Sequence, residues 1–163
     1  MVNEIKNAFR FHGWNIRFLL CFWILSGYGV LNGQQTVLYR NAESDFFNLV
    51  KQYDQGLYGR CIRSAEKFKA VYKETVFEQF VIEAELYQLK AGLNIGNPGI
   101  INDIFAFSEE YKPDAVAEKA ILMIGEDAYD RREYEEAIKY LSMVNGNALQ
   151  PEEQSALYFK LGY

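Results

Sequence analysis

From Glu43 onward this 163-residue chain repeats one pattern: a stripe of apolar side chains at helical spacing, a short break, then another stripe. In the clearest stretch Ala117, Ala120, Ile121, Ile124 and Ala128 share one helix face. Tyr134, Ala137, Ile138, Leu141 and Val144 form a second such face one short turn later. Two amphipathic helices joined by so tight a turn must pack antiparallel. The breaks fall at Gly56, at Gly96-Asn97-Pro98-Gly99, at Lys112-Pro113-Asp114 and at Asn145-Gly146-Asn147. Asp114 stands as a candidate N-cap, and Gln150-Pro151-Glu152-Glu153 places proline and acids where a further helix would begin. Earlier segments carry the same pairing. Phe46, Leu49, Val50 and Tyr53 are followed by Tyr58, Cys61, Ile62, Ala65 and Phe68, while Phe80, Ala84, Tyr87 and Ala91 precede Ile100, Ile101, Ile104, Phe105 and Tyr111. Stripes of this kind stay dry only when neighbouring helix pairs stack side by side, so the fold class is all-α.

The run Ala120-Ile121-x-x-Ile124-Gly125-x-x-Ala128-Tyr129-x-x-x-x-Tyr134-x-x-Ala137-Ile138-x-x-Leu141-x-x-Val144 resembles a tetratricopeptide repeat. Tyr158-x-x-Leu161-Gly162 resembles the opening of another copy. Ala91 to Gly125 spans the period of about 34 residues that the family implies, Gly125 to Gly162 slightly more, and Leu49 to Ala91 more again. Asn48-Leu49 and Lys90-Ala91 stand where the family has Leu-Gly. The small residues Gly125, Ala137 and Cys61 let helices approach closely, and Tyr134, Ile138 and Leu141 are expected to fill the spaces between successive pairs. The resemblance implies antiparallel helix pairs stacked as a right-handed solenoid over residues 34–163, about three pairs plus the start of a fourth. Because no polar capping helix follows Gly162, it also implies the N-terminal part of a longer array.

Residues 1–33 read as a signal peptide. Phe18 to Leu31 is an uncharged apolar run preceded by Lys6, Arg10 and Arg17, close in length to a signal-peptide core and shorter than the roughly 20 residues of a spanning helix. Cleavage after Gly33 would leave a mature start at Gln34. Retention would instead make the segment a membrane anchor. Cys21 lies mid-core with no small residue before it, which argues against a lipoprotein cysteine. Removing this segment also removes Cys21 and His12, leaving Cys61 alone, with no internal disulfide and no cysteine-based metal site. The resemblance together with export points to the periplasm or outer membrane of a bacterial envelope.

Net charge is −5, and the part beyond Gly33 is more acidic still, without a basic cluster interleaved with aromatics, so nucleic acid is an unfavourable partner. The carboxylates Glu109-Glu110, Glu126-Asp127, Asp130, Glu133 and Glu135-Glu136 sit mainly on polar helix faces, where solvated surface explains them better than acid–base chemistry. Glu135 and Lys139 have the spacing of a helical ion pair. Gly92, Gly96 and Gly99 have neither a preceding strand nor a following Lys-Ser/Thr, so they mark a turn and not a phosphate cradle. No catalysis, metal or cofactor is expected.

Function is expected on the concave side lined by the first helix of each pair. By register this places Leu122, Glu126, Tyr129 and Asp130 in a groove, with Phe46, Val50, Tyr53 and Asp54 as counterparts in the first copy and Gln88 and Gly92 in the second. The Lys and Asn that clamp a carboxylate in some family members are absent from these positions, so the groove is expected to be acidic and aromatic and to suit an apolar or basic peptide. The same residues could equally serve as packing against a neighbouring copy. The chain is therefore read as a scaffold or adaptor that binds protein partners. A membrane-anchored assembly factor, or the docking module of a longer protein, remains an alternative.

Overall fold

A computed structural model describes residues 37–73 and 76–162, and the signal or anchor segment at 1–33 lies outside them. The chain divides into two compact units, Met1–Glu43 and Ser44–Tyr163. Of the first unit, residues 37–43 are described and are helical. In the second unit the described residues form helices and turns, with no strand among them. The helices are α1 (37–54, of which 44–54 belong to the second unit), α2 (Tyr58–Tyr72), α3 (Glu78–Asn94), α4 (Ile100–Glu110), α5 (Ala115–Asp130), α6 (Tyr134–Leu141) and α7 (Pro151–Gly162). A 3-10 turn, Gly146–Ala148, precedes α7. None of the described helices is long and apolar enough to cross a membrane.

Three helices, α1, α3 and α5, end in the same way. After α1, Leu57 N–H donates to Gln52 O; after α3, Asn97 N–H donates to Gly92 O; after α5, Glu133 N–H donates to Ala128 O. Each bond closes a turn around one residue in the left-handed region, which satisfies carbonyls that the helix end would leave unpaired. Gly56 (φ 71°) and Gly96 (φ 67°) take that conformation without a side-chain penalty, whereas the third turn places Arg132 there at φ 65°. The α5–α6 turn therefore lacks the glycine that marks the other two, and the apolar spacing alone reveals it in the sequence. The sequence likewise carries no Gly, Pro or Asn where α2 ends at Tyr72 and α3 begins at Glu78.

Packing centres on α5. One core cluster joins Leu93 of α3 and Ile100, Ile104 and Phe107 of α4 to Val116, Ala120, Ile121, Met123 and Ile124 of α5. A second joins Leu122 and Ala128 of α5 to Ala137 and Leu141 of α6, Leu149, and Leu157 of α7. Residues 120–125 are buried without interruption, so this helix is apolar on both sides and needs partners on both. Gly125 makes the α5–α6 contact close enough: a β-carbon there would stand 2.5 Å from Leu141 Cδ2 and 3.1 Å from the Leu141 backbone nitrogen. On the other side of the fold, α2 buries Cys61, Ala65, Phe68 and Tyr72 as it packs against α3. The 3-10 turn is tied to α5 by Asn145 N–H donating to Glu118 Oε2 at 2.8 Å.

Three local expectations turn out differently. Asp114 occupies the N-cap position of α5, yet its side chain makes no capping hydrogen bond. Lys139 Nζ lies over the Tyr140 ring at 5.1 Å, and no ion pair joins it to Glu135. Leu141 is 1% exposed, but Tyr134 and Ile138, assigned by spacing to the space between pairs, are 48% and 51% exposed. Both border a pocket shared with Tyr129 of α5 and Lys160 of α7, which leaves about half of each side chain in solvent.

Gly125→Ala should lower unfolding free energy by about 1–3 kcal/mol, because Leu141 and its backbone must shift to admit one methyl group. Arg132→Gly should raise it by up to about 1 kcal/mol by relieving the left-handed conformation. Urea unfolding followed by circular dichroism measures both. Shifts of the same sign for the two variants would contradict these assignments.

Candidate binding groove

Side chains of α3, α5 and α7 together line a cleft of about 410 Å³. Helix spacing supplies its walls. Leu86, Tyr87 and Lys90 come from α3, Lys119, Leu122, Met123 and Glu126 from α5, and Glu152, Glu153 and Ala156 from α7. Pairs four apart, Leu86 with Lys90 and Leu122 with Glu126, set an apolar and a charged side chain on the same face of one helix.

The charges at the rim are largely answered within the protein. Lys119 Nζ meets Glu153 Oε1 at 3.2 Å, and Lys160 of α7 meets Glu126 Oε1 at 2.5 Å. Both pairs are partly solvated and contribute on the order of 0–1 kcal/mol each, so they orient side chains more than they hold the fold. Lys90 Nζ lies over the Tyr53 ring, 5.0 Å from its centre. The cleft is thus apolar at its base and mixed in charge at its edge. Sequence register assigns it an acidic and aromatic character because Lys90 and Lys119 lie one step around their helices from the positions that register selects.

The nine groove residues expected from register, and Gly92 with them, separate into distinct environments. Leu122 and Glu126 line the cleft. Tyr129, one turn on, lines a second pocket of about 260 Å³ with Tyr134, Ala137, Ile138 and Lys160. Its ring packs edge-on to Tyr134 at 5.6 Å, under the Lys160 ammonium at 5.7 Å. Asp130 is exposed at the end of α5. Phe46 and Tyr53 belong to an aromatic cluster. Phe46 packs on Phe80 at 5.2 Å and on Phe68 and Tyr87 at 6.1 Å, and Tyr53 packs on Tyr87 at 5.5 Å while accepting a hydrogen bond from Asn94 Nδ2. Val50 is half-buried on the same helix and Asp54 is exposed. Gln88 is half-buried, with its Oε1 shielded from solvent and without a hydrogen-bond donor. Gly92 faces α4, since a β-carbon there would stand 2.7 Å from Ile100 Cδ1.

Burial governs the titratable groups near these surfaces. It raises the Tyr53 and Tyr87 hydroxyls above the ordinary tyrosine range; the Asn94 bond partly offsets this for Tyr53, and the charge of Asp54 adds to it for Tyr87. Burial also raises the Asp127 carboxyl, with Arg131 pulling it back and Asp130 and Glu133 pushing it further up. Cys61, whose thiol points at Tyr87 O, is pushed up to about 11 by burial alone.

Among the surfaces the sequence did not single out, Leu86, Tyr87, Lys90, Lys119 and Met123 matter most. The available signal was the stripe flanking Leu122 and Glu126, which a cleft between helices uses as fully as the stripe facing outward. No family model, no curated protein and no solved structure matches the chain.

A thiol whose pKa is raised stays neutral through the physiological range, and the thiolate is the reactive form. In a chain carrying Cys21→Ser, Cys61 should therefore react with a water-soluble maleimide at pH 8 about a hundredfold more slowly when folded than in urea. Equal rates in the two conditions would show that Cys61 is neither buried nor perturbed.

Proposed function

We propose that the helices from Ser44 onward form a tetratricopeptide-like stack that acts as a protein-binding scaffold, with the α3–α5–α7 cleft as its peptide site and no catalytic role. The observation that carries this reading is the cleft itself, an apolar base of Leu86, Leu122 and Met123 set among the first helices of successive pairs and rimmed by charges. A surface with that layering suits an extended peptide that buries an apolar anchor and leaves its flanks hydrated. The three equivalent helix-end turns and the close Gly125–Leu141 contact support a repeated two-helix unit. The pairing of Glu126 with Lys160 and of Glu153 with Lys119 supports binding over acid–base chemistry, since each carboxylate at the rim is already engaged by a neighbouring cation. The basic stretch followed by Phe18 to Leu31 supports export, and with it a role in a bacterial envelope.

Panning a phage-displayed peptide library against the chain tests the reading. Enriched peptides should share an apolar anchor, and fluorescence polarisation should show them binding at least about tenfold more weakly to Ala156→Arg, which fills the cleft from α7. A library that yields no enriched sequence, or peptides that bind Ala156→Arg as well as the native chain, would overturn it.

A further inference from the structure

Large apolar side chains left in water in the second unit are concentrated at its two ends. Phe47, Leu57, Val71 and Val76 belong to the first helix pair or the turn that leaves it, and Tyr134, Ile138, Met143, Tyr158 and Phe159 belong to the last helices, with Ile95 between them. Each group adjoins a concavity. At the first end a cleft of about 320 Å³ is lined by α1, α2 and Gln55 of the turn between them, with Val71 in its wall, Lys51 and Lys67 among its lining, and Asp45, its one acid, accepting a hydrogen bond from the Tyr72 hydroxyl. At the other end the 260 Å³ pocket is bordered by the exposed ridge Tyr134 and Ile138.

The two ends are opposite in charge. From Tyr58 to Lys73 the chain carries Arg60, Arg63, Lys67, Lys69 and Lys73 against Glu66 alone, and among the described residues only Lys69 of these five is taken up by an ion pair, with Glu85. From Glu126 to Glu136 it carries Glu126, Asp127, Asp130, Glu133, Glu135 and Glu136 against Arg131 and Arg132, and Arg131 is engaged by Asp127 and Glu133. Arg63, Lys67, Glu135 and Glu136 are all exposed. Two copies that met through the same end would oppose like charges, which is unfavourable at contact distance. Two copies that met through opposite ends would bring cation to anion around apolar surface.

We infer that the chain associates with further copies of itself head to tail, the cationic α1–α2 cleft of one copy receiving the acidic Tyr134–Ile138 ridge of the next. A contact of this kind uses two different patches and does not consume either on the outer copies, so it propagates into open chains or rings instead of stopping at a dimer. The apolar ridge supplies the burial, and the opposed charges fix polarity and register.

Sedimentation velocity over a range of micromolar concentrations, in low and high salt, tests this with two charge-reversed variants of the full chain. One carries Arg63→Glu with Lys67→Glu, the other Glu135→Lys with Glu136→Lys. The native chain should form species beyond the dimer that diminish as salt rises. Each variant alone should associate at least about tenfold more weakly, because the reversal cancels the net charge of the altered end and sets like charges against the facing residues of its partner. Mixing the two variants should restore association, since each supplies the complement of the other's altered end, and recovery would also show that both are folded. Association driven by the apolar N-terminal segment would be indifferent to the charge reversals. A native chain that stays monomeric, variants that associate like the native chain, or a mixture no better than its components would overturn the proposal.

Discussion

A helix that is apolar on opposite sides cannot be stable alone, and α5 is such a helix. Residues 120–125 are buried one after another, so α5 must have α3 and α4 on one side and α6 and α7 on the other. Fully burying a Leu, Ile or Met side chain contributes about 1.5–3 kcal/mol, and α5 places Ile121, Leu122, Met123 and Ile124 in consecutive positions. Gly125 is what makes the arrangement geometrically available. Its missing side chain leaves room for Leu141, so α6 approaches closely enough to close the second core cluster. The position of Ala156 and Lys160 relative to α5 depends on that contact, because α7 follows α6 through a turn anchored on Glu118.

Helix identity was legible because two-helix periodicity is strong and because Gly56 and the Gly96–Gly99 segment mark breaks with residues chosen for backbone reasons. The α2–α3 break carries no comparable residue, and Arg132 accepts a left-handed conformation that glycine usually takes. The all-α class followed from the stripes, whereas the fate of each residue on a stripe did not. Ala137 and Leu141 are sealed in while Ile138, on the same stripe by spacing, stands half in water. A face broad enough to hold three side chains is covered only as far as its neighbour extends, and that extent is a property of tertiary packing.

The same limit applies to the groove. Register along single helices selects the residues that point away from a partner helix, and Leu122 and Glu126 were found that way. A cleft among three helices also draws on stripes that look sideways, from which Lys90 and Lys119 come. Their cations change the electrostatic character from acidic to balanced without altering the apolar base. The aromatic residues assigned to the groove have a second environment. Phe46 and Tyr53 have the chemistry of a recognition surface, and they are half-buried in ring contacts with Phe80, Phe68, Tyr58 and Tyr87. Large rings gain more from burying area against one another than from remaining available to a ligand.

Charge is distributed along the fold in a way that helix stability does not require. Acids favour helix N-termini and bases favour C-termini, so the dipole alone would run each helix from acid to base. Instead α2 is basic through most of its length, while the α5–α6 turn gathers acids on both flanks, to the point that neighbouring carboxylates help raise the Asp127 pKa. Crowding of this kind destabilises the isolated fold slightly by mutual repulsion. The Lys160–Glu126 and Arg131–Asp127 pairs relieve part of it locally. They leave Asp130, Glu135 and Glu136 facing solvent beside Tyr134 and Ile138, where an acidic rim around an apolar ridge has its greatest effect on which surface can approach.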